Sequence, residues 1–465
     1  MYRRTALTPI ILRNAYYEPS PANLEDQVSI RTRPRLREFA QAGIGPIMGL
    51  YRKGGVLADV GLSGSIIAKS GHDIYRVTQT GLPGVGTATF IGTIVGDFRM
   101  SAEGSAAVIC LTAGSTPYTT DGTSLAVLSF PDGLSVYGID TLNSYFLFSS
   151  DLGKFYWSAV GGTTVDPLDF ATAESQPDIL LTLKVIGDEL WLFGRLSVEV
   201  WQPTGDPDLP FQRIGGRIFG IGVTARETVM KMNVAGLDTV CWLGTDRRVY
   251  QTKPNPVRIS DEGLEEILQK LVIGTAPGTS AYATTDSWNG HDFYVLHIPG
   301  HGSFAYDLLT QDWHERTSYN HLLFRASASA TGPNAQPLIG DDTSNQIWEM
   351  TEDQTTDGAD PVITDFSGLL EVTGSSERLN NVSLDIATGQ TTDLDADPMM
   401  QMSYSDDLGE TWTAADDQSL GRMGQRNTMV SWSRLGSMKR PGRSFLFRTL
   451  EPITVRKSKY NTPLR

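Results

Sequence analysis

Short apolar runs rich in Val, Ile, Tyr, Phe and Trp recur along the whole chain, separated by Gly, Asn, Asp, Ser and Pro. Runs of this length and content, bounded by turn formers, read as β-strands. They come in pairs: an alternating apolar run, a short turn, and a second run that holds an aromatic residue. The pair recurs at 65–78, 106–122, 144–159, 188–204, 238–253, 291–308 and 336–350. Its second-run aromatics, Tyr75, Tyr118, Tyr156, Trp201, Tyr250, Tyr306 and Trp348, are spaced by 43, 38, 45, 49, 56 and 42 residues. A four-stranded propeller blade takes roughly 40–50 residues. A hairpin with one apolar face cannot bury it alone, so such units must stack around an axis to form a core. The spacing predicts an all-β chain with a six- or seven-bladed β-propeller over 44–350.

The longest step contains the best helical segment, 261–271, with Ser260 as its expected N-cap and Asp261 and Glu262 in the first turn. Residues 351–360 are polar and acidic and read as a linker. Alternation then resumes in at least five runs, which predicts a small β-sandwich domain over 361–465. The first 43 residues, with Pro9, Pro19, Pro21 and Pro34, read as an extended N-terminal strap.

Charge adds a second layer. The net charge of −15 is uneven: residues 1–53 carry +5 and 421–465 carry +10, which leaves −30 for 54–420. An acidic body with basic ends suits a part whose ends dock onto other parts or face phosphate, and argues against an ordinary nucleic-acid-binding enzyme. Arg434, Lys439, Arg440, Arg443 and Arg448 fall within 15 residues free of acid, and are expected to form a basic partner interface on the sandwich. Cys110 and Cys241 each sit in an apolar run, as buried free thiols of a reducing compartment do. No run approaches the roughly 20 apolar residues needed to span a bilayer, and Met1 to Pro9 lacks a signal-peptide core, so membrane insertion is not expected.

One motif is complete. Ser405, Asp407, Gly409, Thr411 and Trp412 fit the Asp-box pattern S-x-D-x-G-x-T-W at every defined position. The aspartate caps its own turn, the glycine permits positive φ, and the tryptophan is expected to pack beneath the hairpin. The box is therefore read as structural. Five of the six histidines lie between His291 and His321, with His297 and His301 flanking a turn, but no spacing matches a metal site. Asp393, Asp395 and Asp397 resemble the start of a calcium loop, yet Pro398 stands where the glycine is required. Nucleophile-elbow, phosphate-loop, zincin and dinucleotide patterns are all missing, so no catalytic residue, metal ligand or cofactor is assigned.

Three groups of segments resemble the tail hub, or packaged-DNA stabilisation, proteins of short-tailed bacteriophages. The first runs from Asn14-Ala15-Tyr16-Tyr17-Glu18 through Asp26-Gln27 and Arg33-Pro34-Arg35-Leu36 to Gly43-Ile44-Gly45-Pro46-Ile47. The second is Phe170 to Asp178, with Glu174-Ser175-Gln176-Pro177-Asp178 as its most specific part, followed by Trp191-Leu192-Phe193-Gly194 and Val198-Glu199-Val200-Trp201. The third is the Asp box with Ser419-Leu420-Gly421 and Val430 to Gly436. The sequence departs from the family pattern at Arg35, where a glycine is expected, and in its basic tail after Trp432. The resemblance implies a non-enzymatic virion tail protein made in the host bacterial cytoplasm. It implies a homo-oligomeric, six-fold ring below the portal and its adaptor protein, continuing the channel for packaged double-stranded DNA and anchoring needle, tailspike or fibre proteins. The alternative is a glycan-binding or sialidase-like propeller. That reading needs three arginines gripping a carboxylate at the propeller centre, beside a Tyr/Glu pair and an Asp; Arg195, Arg213, Arg217, Arg226, Arg247 and Arg248 are the candidates.

Overall fold

Among the described residues, seven four-stranded antiparallel meanders follow one another: 47–93, 101–127, 136–172, 180–219, 230–258, 282–316 and 326–351, the last completed by Arg35–Gln41. They are called blades 1 to 7. The computed structural model describes residues 11–19, 28–52, 64–81, 84–105, 108–150, 153–173, 178–234, 236–271, 280–372, 374–389, 396–426 and 428–461. All seven aromatics that set the sequence period lie on the third strand of their blade.

In blades 1 and 2 the second strands are buried on both faces. Ile66–Ser70 in blade 1 and Ile109–Thr112 in blade 2 are buried at every position, because a neighbouring blade covers each face. Fourth strands lie outside; Val85–Thr93 and Phe211–Phe219 are mostly exposed or half-buried. The cores lie between blades. Ile67 and Ile74 of blade 1 meet Ile109 and Leu111 of blade 2, and Trp191 and Phe193 of blade 4 meet Val240 and Trp242 of blade 5. Backbones approach closely where blades 4 and 5 join: a Cβ on Gly222 would overlap the carbonyl group of Arg195. Gly222→Ala is therefore expected to cost about 1–3 kcal/mol by overpacking. An unchanged denaturant midpoint would show that the joint gives way freely.

The propeller closes earlier in the chain than residue 44. Arg35–Gln41 pairs antiparallel with Gln346–Thr351, placing Leu36, Phe39 and Ala40 in the core. The described residues of the N-terminal segment are built into three sheets. Leu12–Arg13 lies between blade 6 and the sandwich, parallel to Asp312–Arg316 and antiparallel to Thr364–Glu371. This makes one nine-stranded sheet that runs from blade 6 through the strap into Gly442–Thr449, Met399–Ser405 and Asp416–Ser419. The facing five-stranded sheet orders Ala15–Pro19, Val28–Thr32, Thr454–Asn461, Ser376–Ile386 and Val430–Lys439. Between the two sheets Trp432, Phe366, Phe445, Phe447, Met400 and Met402 form the sandwich core, to which the strap adds Leu12 and Ala15.

Residues 351–360 are mostly exposed or half-buried but carry local structure. Thr356–Asp357 and Asp360–Pro361 form a small hairpin, and Asp357 is only 1 % exposed because it neutralises a buried arginine. The helix spans Glu262–Gln269 and is capped by Asp261, whose carboxylate accepts from the Leu264 amide at 2.9 Å. Ser260, the expected cap, instead accepts from the Val249 amide and donates to Glu265. Cys110 and Cys241 are buried free thiols, and burial pushes the Cys110 thiol up to about 12. No described helix is long and apolar enough to cross a membrane.

Candidate functional site: the junction of propeller and sandwich

The strap crosses the boundary between the two domains through a set of buried polar groups. Arg33, with a fully buried side chain, spans Asp357 with both Nη atoms at 3.1 and 2.5 Å. Its Nε donates to the Asn14 amide oxygen at 3.0 Å. Asn14 holds φ +53°, a left-handed backbone conformation that asparagine tolerates better than most residues. Its Oδ1 also accepts from the Thr317 amide, and its Nδ2 donates to Thr317 Oγ1 and the Ile363 carbonyl. One side chain thus ties the strap to the end of blade 6 and to the start of the sandwich.

Arg13 does the same by charge. It reaches Glu315 on blade 6 at 2.8 Å and Asp365 on the sandwich at 3.0 Å, and Asp365 also receives Arg448 at 2.7 Å. Beside this knot, Arg31, Arg35, Glu352, Pro398 and Ile453 help to line a groove of about 610 Å³. Arg35 is 1 % exposed with its Nε and Nη1 unpaired, and burial, then the neighbouring Arg33, draws its pKa down to about 9. Nothing in the local sequence announces this junction. Its partners lie some 300 residues or more apart in the chain.

The Asp box forms a tight turn between Met399–Ser405 and Asp416–Ser419. Asp407 accepts from the Thr411 amide at 2.9 Å and from its hydroxyl at 2.6 Å, while the Ser405 hydroxyl donates to Asp407 at 2.6 Å. The Gly409 amide donates back to Ser405 Oγ at 2.8 Å. These bonds hold the Asp407 carboxyl well below the usual carboxylate range. Gly409 takes φ +94°, the positive value the motif requires. Trp412 is only half-buried, with its Nε1 unpaired, so it does not anchor the core; Trp432, 1 % exposed, does.

The five basic residues of the C-terminal segment do not make one surface. Arg434 and Lys439 lie exposed on Val430–Lys439 in the five-stranded sheet, and Arg440 is exposed in the turn that follows. Arg443 and Arg448 lie on Gly442–Thr449 in the other sheet. Arg443 is 3 % exposed; it pairs with Asp406 of the Asp box at 2.7 Å, stacks on Tyr404 and donates to the Leu435 and Ser437 carbonyls. Arg448 is held by Asp365. Chain neighbours on either side of a turn between sheets need not share a face, which is why the cluster separates. The role of Asp406, at a free position of the motif, is invisible in the pattern.

The buried histidines His291 and His297 serve packing, while His301 is exposed. His291 Nδ1 is hydrogen-bonded to Asp307 at 2.7 Å, and His297, stacked on Tyr282, bonds Thr284 and Ser303. No group of three metal-ligating side chains occurs among the described residues. Asp393 and Asp395 of the calcium-like loop lie outside the described residues, as do Glu174 to Pro177. Nor do the six candidate arginines converge. Arg213 and Arg217 pair with Glu199 and Glu189 in blade 4, while Arg247 and Arg248 turn to the helix region at Leu271 and Glu265. Of the six, Arg226 alone helps to line the cavity at the propeller axis.

Comparison with known families accounts for both domains in order. Residues 48–355 match the β-propeller of bacteriophage P22 Gp10, and residues 365–462 match its β-sandwich. The chain belongs to the bacteriophage P22 Gp10 family. The Gp10 proteins are the tail hub, or DNA-stabilisation, proteins of short-tailed phages, so this chain is a structural phage tail protein built on a propeller. No curated protein matches. Among solved structures, the WD40 propeller domain of Doa1 is similar at 10 % identity and TM-score 0.41, over 70 % of this chain and 99 % of that one. BBS1N, in its complex with ARL6DN, is similar at 9 % identity and TM-score 0.42, over the same shares of 70 % and 99 %.

Proposed function

We propose that the chain is the non-enzymatic hub of a short phage tail: six copies form a ring below the portal adaptor, continue the DNA channel, retain the packaged genome and hold needle, tailspike or fibre proteins. The observation that carries the reading is the ordered match of both domains to the Gp10 family. The junction supports it, since a load-transmitting ring needs its two domains fixed to each other. Here a continuous sheet and the buried Arg33–Asp357 pair do that. The acidic body suits a channel wall along which DNA slides without adhering.

Of the five basic residues, the three exposed ones, Arg434, Lys439 and Arg440, are suited to meet an acidic adaptor ring. Arg443 is excluded from that role by its pairing with Asp406. Replacing those three by Ala is expected to weaken joining to the adaptor ring, read by co-sedimentation, and to leave the thermal midpoint of the isolated protein unchanged. Screening over about 8 Å near physiological ionic strength should make the wild-type joining salt-sensitive. Normal joining by the triple variant, at a salt concentration that weakens the wild type, would refute this interface. Absence of the protein from purified tails by mass spectrometry would overturn the hub reading itself.

A further inference from the structure

The first strands of all seven blades face a cavity of about 180 Å³ on the propeller axis. Its wall carries three cations, Arg99, Lys184 and Arg226, against one carboxylate, Glu227. That carboxylate is already used: Arg99 donates its amide to one oxygen at 2.9 Å and Nη1 to the other at 3.0 Å. Arg99 is fixed further by stacking 3.3 Å from the Tyr282 ring and by donating to the Ser327 carbonyl. Arg226 and Lys184 have no ion pair among the described residues.

Arg226 is nevertheless held in place. Its guanidinium stacks 3.7 Å from the Phe98 ring and 4.7 Å from that of Tyr137. Gly114, at φ +80°, leaves the space that its Nη2 occupies; a Cβ there would collide with it. A guanidinium aligned by two aromatic rings and a glycine, with a buried Nη2 that has no hydrogen-bond partner, is pre-organised for a planar or tetrahedral oxyanion. The carboxylates near the wall are committed elsewhere. Glu103 accepts from the Tyr51 hydroxyl at 3.0 Å, and Asp140 accepts from the Val185 amide at 2.8 Å. Burial raises the Asp140 carboxyl above its usual range, against the pull of Lys184.

We propose that this axial cavity binds one small oxyanion between Arg226 and Lys184. A cavity of about 180 Å³ has room for sulfate, phosphate or a short carboxylate. The site is independent of the hub reading, which rests on the family match and not on the axis.

The test is calorimetric titration of the whole protein with phosphate, sulfate and acetate, each against chloride at equal ionic strength. The expected result is saturable binding of about one equivalent, with an accompanying rise in thermal midpoint. Saturation by phosphate and sulfate alone identifies an inorganic oxyanion, and saturation by acetate identifies a carboxylate. Arg226→Gln and, separately, Lys184→Gln should each weaken binding at least tenfold. Lys184→Gln guards against a misfolded Arg226 variant, because Lys184 has no packing partner comparable to Phe98 and Tyr137. No saturable heat with any of the three anions would overturn the proposal. So would equal affinity in a folded Lys184→Gln variant.

Discussion

Asp357→Ala is expected to lower the unfolding free energy by about 3–5 kcal/mol, the usual cost of leaving a buried charge without its partner. The Arg33 side chain is fully buried and Asp357 is its counter-charge, bonded by both Nη atoms, which otherwise reach only the neutral Pro34 and Thr317 carbonyls. Asp357 also accepts from the Leu36 amide at 3.1 Å, so the substitution removes an anchor of the strand that closes the propeller. Arg33→Ala should cost a similar amount, through the abandoned carboxylate and the lost bond to Asn14. The double variant should cost less than the sum, since each single change already breaks the pair. Guanidinium denaturation of the four proteins checks this. A loss under about 1 kcal/mol for Asp357→Ala would show that water reaches the pair in solution.

The second large effect belongs to Trp432. It is 1 % exposed, packs on Phe447, and donates its Nε1 to the Asp416 carbonyl at 2.9 Å. Trp432→Ala should cost about 3–5 kcal/mol, a transfer loss plus a cavity. Trp412→Ala should cost much less, because that ring is half in solvent. The comparison separates two tryptophans that the sequence makes look alike. If Trp412→Ala proves the more damaging, the hairpin packs against a surface other than the one described.

The propeller was readable because its period is local: each aromatic from Tyr75 to Trp348 repeats the same neighbourhood, and each sits on a third strand. The strap was not. Arg13, Asn14 and Arg33 find Glu315, Thr317 and Asp357 across about two thirds of the chain, and no spacing rule connects such positions. The acidic stretch at 351–360 shows the same limit: its composition matches a linker, yet one of its carboxylates is a buried counter-charge. Lys439 and Arg443 are four residues apart and equally basic. Only the change of sheet between them sends one to solvent and the other onto Asp406.

The position of the strap also dictates when the molecule can be finished. Leu12–Arg13 waits for a partner strand that starts at Thr364, Arg35–Gln41 for one that starts at Gln346, and Val28–Thr32 for one that starts at Thr454. At roughly 5–20 residues per second on the ribosome, the earliest-made strands stay unpaired with these partners for most of a synthesis lasting roughly 20–90 s. Blades 1 to 6 emerge first, and the N-terminus is sewn in last. Completion of the fold is thereby coupled to the synthesis of Thr454–Asn461, and a chain stopped before Gln346 would present an unclosed seventh blade and an unfilled sandwich together.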